Sequence, residues 1–133
     1  MKFFRLEGNK ALNLPFSDAV RLGEVLYLSG QLGIVPGTMK PAPGGIEAET
    51  RQMMENIARV LEHCGLKLDD VFKCTVMLAD MTEWPAFNKV YLGYFKPERL
   101  PTRSAFGASG LALGARVEME CWAHAGANDP ATP

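Results

Sequence analysis

At 133 residues the chain is long enough for one domain with its own core, without disulfides or metal as staples. Its 14 Lys+Arg and 15 Asp+Glu leave a formal net charge of -1 and no basic run, which argues against nucleic acid as a partner. No apolar run reaches the roughly 18 residues of a membrane span, so a cytoplasmic protein with no membrane partner is expected.

The three cysteines, Cys64, Cys74 and Cys121, form no CxxC and have no histidine at ligand spacing, so they read as buried reduced thiols. Lys2 to Glu7 reads as a short edge strand. Phe16 to Leu22 and Glu24 to Ser29 read as a hairpin that turns near Gly23. In its second arm Val25, Tyr27 and Ser29 share one face and Leu26 and Leu28 the other. Ser29-Gly30-Gln31 ends that strand, and the Pro/Gly-rich stretch Pro36 to Gly45 reads as a loop.

From Ile46 the apolar period becomes helical, with Met53, Ile57, Leu61 and Cys64 on one stripe, Met54 and Val60 beside them, and Gly65 as the stop. Glu47 and Glu49 favour the N-terminus of this helix through its dipole. Val71 to Ala79 alternates as an inner strand, placing Phe72, Cys74, Val76 and Leu78 together. Thr82 is then a candidate cap for a second helix. Its stripe is Trp84, Phe87, Tyr91, Tyr94 and Phe95, and it runs to about Lys96. Pro85 is tolerated in the first turn.

The C-terminal arm, LPTRSAFGASGLALGARVEMECWAH from Leu100 to His124, carries a short strand before Gly107 and a final alternating strand. Val117, Met119, Cys121 and Ala123 take one face of that final strand, and Glu118, Glu120, Trp122 and His124 the other. The tail from Gly126 is small, polar and Pro-containing, so the expected division is a single domain over 1–125 and a flexible end over 126–133. The element order predicts an α+β fold, a two-layer sandwich with two helices on one face of a mixed sheet. A sheet face bearing Val25, Tyr27, Glu118 and Trp122 is left uncovered, and burying it calls for a homo-oligomer.

Several residues could carry chemistry. Arg103, placed by the Pro101-Thr102 turn, offers a planar fork for a carboxylate, although an ion pair within its own chain or a place in solvent would equally explain it. Glu118 and Glu120 stand roughly 7 Å apart on one strand face. Either they are solvated, or each raises the other's pKa and one serves as general base on a water. Asn88 lies at the edge of the aromatic stripe and bonds either backbone or ligand, and Ser29 beside Gly30 is either a ligand contact or an ordinary turn serine. His63 and His124 have no partners in sequence, and no nucleophile elbow or P-loop occurs, so metal and covalent-triad chemistry are unsupported.

Four stretches taken together resemble the Rid (YjgF-like) family of enamine/imine deaminases over about Pro15 to Ala125. They are LYLSGQLGI (Leu26 to Ile34), RQMMENIARVLEHCGLKLDDVFKCTVMLADM (Arg51 to Met81), FNKVYLGYF (Phe87 to Phe95), and LPTRSAF followed by ARVEMECWAHA. The resemblance implies a chorismate-mutase-like fold, a homotrimer whose sheets form a central barrel, and ligand clefts between subunits. It also implies hydrolysis of 2-imino acids, formed from 2-aminoacrylate or 2-aminocrotonate, to 2-oxo acids and ammonia, with no cofactor or metal.

By the same resemblance the carboxylate-binding arginine falls on Arg103, the water-positioning glutamate on Glu118, the cleft serine and glycine on Ser29 and Gly30, and the helix asparagine on Asn88. Phe16 stands where many members have tyrosine, and Ala105 where they have cysteine. Phe16 keeps the ring without the hydroxyl, and Ala105 keeps the backbone groups that bond the substrate nitrogen without the thiol. A binding module for 2-oxo acids on the same scaffold is the alternative these departures favour. RNA cleavage, a role also attached to the family, sits poorly with the net charge of -1.

Overall fold

The computed structural model describes residues 1–127, so the expected flexible tail lies outside the described residues from Asn128 onward. The elements are β1 (Lys2–Phe4), α1 (Glu7–Ala11), β2 (Ala19–Leu22), β3 (Val25–Leu28), β4 (Gln31–Leu32), α2 (Ile46–His63), β5 (Val71–Leu78), α3 (Trp84–Tyr91), β6 (Thr102–Gly107) and β7 (Val117–His124). They form one mixed sheet in the order β1-β2-β3-β7-β5-β6, with β4 also paired to β7. The β5–β6 pair is parallel and all others are antiparallel.

The core lies between α2, α3 and one sheet face, as the alternation predicts. From β7 it takes Val117, Met119, Cys121 and Ala123, from β3 Leu26 and Leu28, and from the helices Met53, Met54, Ile57, Val60, Leu61, Phe87 and Tyr91, all buried. Burying each large side chain contributes roughly 1.5–3 kcal/mol, and this packing is what holds α2 and α3 onto the sheet. The helix stop behaves as read. Gly65 takes φ 80, the amides of Gly65 and Leu66 donate to the carbonyls of Glu62 and Leu61, and α2 closes in a Schellman motif. Cys74 and Cys121 are buried free thiols that face each other across β5 and β7, Sγ to Sγ 3.7 Å, and Cys64 is half-buried.

Five local expectations are corrected. Lys2 to Glu7 is not one strand, since β1 ends at Phe4 and Glu7 opens the short helix α1, a third helix beside the two expected. Phe72 does not join Cys74, Val76 and Leu78. A register shift between Val71 and Lys73 inserts it as a bulge, so Val71 is buried instead and the Phe72 ring turns to the opposite face, 6.4 Å from that of Trp122. Thr82 is not the cap but the capped residue, since Asp80 Oδ1 accepts from the Thr82 amide at 2.9 Å and from its hydroxyl at 2.7 Å. The aromatic helix ends at Tyr91 and continues only as a 3₁₀ turn over Leu92–Tyr94. Finally, Gln31 does not end the pairing: after a break at Ser29-Gly30 the chain rejoins β7 as β4, with Gln31 opposite Met119 and Leu32 opposite Glu118.

The start of α2 is tied to the start of β7 by a buried carboxylate. Glu49 accepts the Arg116 amide at 2.9 Å and lies 3.7 Å from its guanidinium, which also pairs with Glu83. Asn56 of α2 donates to the carbonyls of Leu32 and Ile34, both at 2.9 Å, and so pins β4 and the segment after it to the helix. The Pro36–Gly45 loop is folded back on itself through Val35 to Lys40 and Ala42 to Gly33 backbone bonds. Between β6 and β7, Leu113 takes φ 59, a left-handed conformation that costs a leucine roughly 1–2 kcal/mol.

Candidate functional site

Register decides which side chains can meet. Across β5 and β6, Cys74 stands opposite Arg103 and Val76 opposite Ala105, so Arg103 and Ala105 share the helix-covered face. Across β5 and β7, Met77 stands opposite Glu118 and Thr75 opposite Glu120, so both glutamates share the uncovered face. Arg103 and Glu118 therefore lie on opposite faces of one sheet. A single protomer offers them as two separate half-sites.

The first half-site is at the free edge of β6. The guanidinium carbon of Arg103 lies 4.7 Å from the ring centroid of Tyr91, 5.6 Å from Phe87 and 5.9 Å from Trp84, a trough that α3 supplies through its i, i+3, i+7 spacing. Among the described residues no carboxylate pairs with Arg103, which removes the reading of an internal ion pair. Asn88 lines the same cavity, about 290 Å³, together with Trp84, Tyr91, Leu100 and Pro101. Its Oδ1 is buried without a hydrogen-bond partner among the described residues, so the backbone alternative does not account for that oxygen. An uncompensated guanidinium beside an unsatisfied amide oxygen is an arrangement that a ligand with both a carboxylate and a donor would complete. Ala105, two residues along this edge strand, leaves one side of its backbone free of sheet neighbours.

The second half-site surrounds the break between β3 and β4. The Ser29 hydroxyl donates to the Ser17 carbonyl at 2.6 Å, which leaves its oxygen only as an acceptor, and the Ser29 amide donates to Asp18. Gly30 follows, and Oε2 of Glu118 packs onto its Cα where any Cβ would collide. Burial raises the Glu118 pKa above the ordinary carboxylate value, and the charge of Glu120 raises it further. The unsheltered Phe16 ring and Gly30 line a cavity of about 320 Å³.

The residues named from the sequence fall into these two groups, whereas the aromatic trough and the cavity walls were not named. Phe87 and Tyr91, two members of the aromatic stripe, are buried in the core; their second role, as the bed for Arg103, depends on a parallel β5–β6 pairing that no local pattern encodes. Tyr91 also keeps a buried hydroxyl without a hydrogen-bond partner, and burial, then the neighbouring Cys74, push its pKa up.

Comparison with known proteins identifies relatives in sequence and in fold. The family model described as endoribonuclease L-PSP matches residues 9–125. The chain is 38% identical over 106 residues to a mouse (Mus musculus) 2-iminobutanoate/2-iminopropanoate deaminase, covering 80% of this chain and 78% of that one. It is 40% identical over 110 residues to a RutC family protein of Pyrococcus horikoshii, covering 83% and 86%. The crystal structure of the E. coli YjgF gene product superposes with a TM-score of 0.83 at 29% identity, covering 93% of this chain and 98% of that one. The strand-break serine and glycine, the edge-strand arginine and the paired glutamates thus sit within a shared sequence and a shared fold, and the chain belongs to the Rid family.

Proposed function

We propose that this protein hydrolyses 2-imino acids to 2-oxo acids and ammonia, in clefts between the subunits of a homotrimer. The observation that carries the reading is Arg103, a guanidinium held in an aromatic trough with no carboxylate among the described residues to neutralise it. A 2-imino acid brings that carboxylate, and its N–H is a donor for the buried Asn88 oxygen.

Because Arg103 and Glu118 face opposite sides of their own sheet, one cleft takes Arg103, Ala105 and Asn88 from one protomer and Glu118, Ser29, Gly30 and Phe16 from the next. Joining them also covers the apolar sheet face, where Tyr27 and Trp122 pack edge to face at 5.0 Å.

Arg103 fixes the substrate carboxylate by paired charge-assisted bonds. Glu118, with its raised pKa, accepts a proton from a water as the water oxygen bonds to the imine carbon. The proton passes to nitrogen, the C–N bond breaks, and the carbonyl forms as ammonia leaves. The protonated imine is already electrophilic, so positioning accounts for most of the rate. Ala105 contributes backbone groups to the nitrogen, and no cofactor takes part in the steps.

The test is the decay of 2-iminobutanoate and 2-iminopropanoate, generated in situ by an amino-acid oxidase and trapped with semicarbazide. Wild type suppresses trapping and Arg103→Ala does not. If wild type fails to suppress it while 2-oxobutanoate binds tightly, the protein is the binding module that Phe16 and Ala105 favour.

A further inference from the structure

The cavity beside Gly30 is larger than the smallest 2-imino acids use. Its volume is about 320 Å³, and Leu12, Leu14, Phe16, Ile34, Met39 and Leu113 supply an apolar wall. The polar groups at its margin are mostly engaged with one another. Asn9 donates to Asp18 at 2.6 Å, Asp18 accepts the Leu6 amide at 2.8 Å, and Asn56 spends its amide on the Leu32 and Ile34 carbonyls. Gly30 is the shared boundary: it lines the cavity and carries the Glu118 carboxylate on its Cα.

Leu113 is the unusual member of the wall. It is held in the left-handed region, φ 59 and ψ 22, which disfavours a leucine, and its side chain is 47% exposed rather than packed in the core. Core packing therefore does not account for an apolar side chain at a position that glycine or asparagine would fill with less strain.

We infer that this cavity receives the substrate side chain and that Leu113 is a specificity-determining residue, selecting 2-imino acids with bulky apolar side chains over the alanine-derived imine. The inference rests on Glu118 as the base: its carboxylate lies against Gly30, and Gly30 lines the cavity, so the cavity is the apolar space next to that carboxylate across Gly30. A methyl group leaves most of the cavity unfilled, whereas a branched or thioether chain removes its apolar surface from water against the Leu113 wall.

Imines are generated in situ from alanine, 2-aminobutanoate, leucine, methionine and glutamate, and kcat/KM is measured for wild type, Leu113→Asn and Met39→Ser. Asparagine tolerates the left-handed backbone, so the first variant keeps the loop, and Met39→Ser probes the wall from another segment. In wild type the leucine- and methionine-derived imines exceed the alanine-derived imine by roughly tenfold or more. Each variant lowers that ratio, Leu113→Asn to near unity. Equal ratios in wild type and both variants overturn the inference, as does a preference for the glutamate-derived imine. The second outcome would instead assign the cavity to the Arg59 guanidinium on its rim.

Calorimetric binding of 4-methyl-2-oxopentanoate against 2-oxopropanoate separates the two claims. Tighter binding of the larger 2-oxo acid, lost in Leu113→Asn, supports the pocket even if no imine is hydrolysed. Imine hydrolysis with no size preference in either assay supports the deaminase and removes the pocket.

Discussion

Oε2 of Glu118 rests on the Cα of Gly30, in the space that a side chain at position 30 would occupy. The strand break between β3 and β4 thus sets the position of the carboxylate. Gly30→Ala must push Glu118 aside or shift β4. A displacement of about 1 Å at a catalytic group costs on the order of a hundredfold, so kcat/KM for 2-iminobutanoate falls by about that much while far-UV circular dichroism stays native. Wild-type kinetics in Gly30→Ala would remove Glu118 from the chemistry.

The opposite-face placement of Arg103 and Glu118 makes complementation a direct test. Arg103→Ala and Glu118→Ala are each expected to be inactive. If every cleft takes one residue from each of two protomers, co-refolding equal amounts restores about a quarter of the sites. No recovery in demonstrably mixed oligomers means that both residues act within one protomer, or that one of them does not act.

Arg103→Lys keeps the charge but loses the planar fork and its stacking on Tyr91. The expected result is a rise in KM of roughly tenfold or more, with a smaller change in kcat, since the lost bonds are largely ground-state binding. Steady-state kinetics on 2-iminobutanoate measure both.

Glu118 also makes a stability prediction. Its pKa is raised in the folded protein by burial and then by Glu120, so the fold holds this proton more tightly than the unfolded chain does. The favourable contribution is complete below the ordinary value of 4.5 and is lost as pH rises through the raised value. Glu118→Gln should therefore melt at a higher temperature than wild type at neutral pH, and the gain should vanish in acid. A calorimetric Tm that is lower at neutral pH would contradict the burial argument.

Cys64 is a second pH-dependent group. Burial, then the charge of Asp18, pushes its thiol up to about 11 from 9.0, opposed by Lys2. Near pH 8 it holds about a hundredfold less thiolate than an unperturbed cysteine. Iodoacetamide labelling followed by intact mass should be correspondingly slow there and accelerate toward pH 11. Fast labelling of Cys64 at pH 8 would show that this segment opens readily.

The sequence by itself determined the longer elements, α2 and β7 above all, and the faces their side chains take. Period-two alternation in β7 and period-3.6 spacing in α2 each act within one segment, where side-chain direction follows from backbone geometry alone. Glu118 was thus correctly placed away from Met119, and Gly65 correctly ended α2. Motifs with wide spacing, from Ser29-Gly30 to Arg103 and Glu118, were legible through the family resemblance.

Only the tertiary structure decided what depends on pairing between distant strands. The Phe72 bulge, the two-residue β4 and the parallel β5–β6 register are fixed by hydrogen bonds to partners far along the chain, which leave no local period. That register puts Arg103 on the helix side, over Tyr91 and Phe87, and Glu118 on the other side. It divides the candidate residues between opposite faces of one sheet.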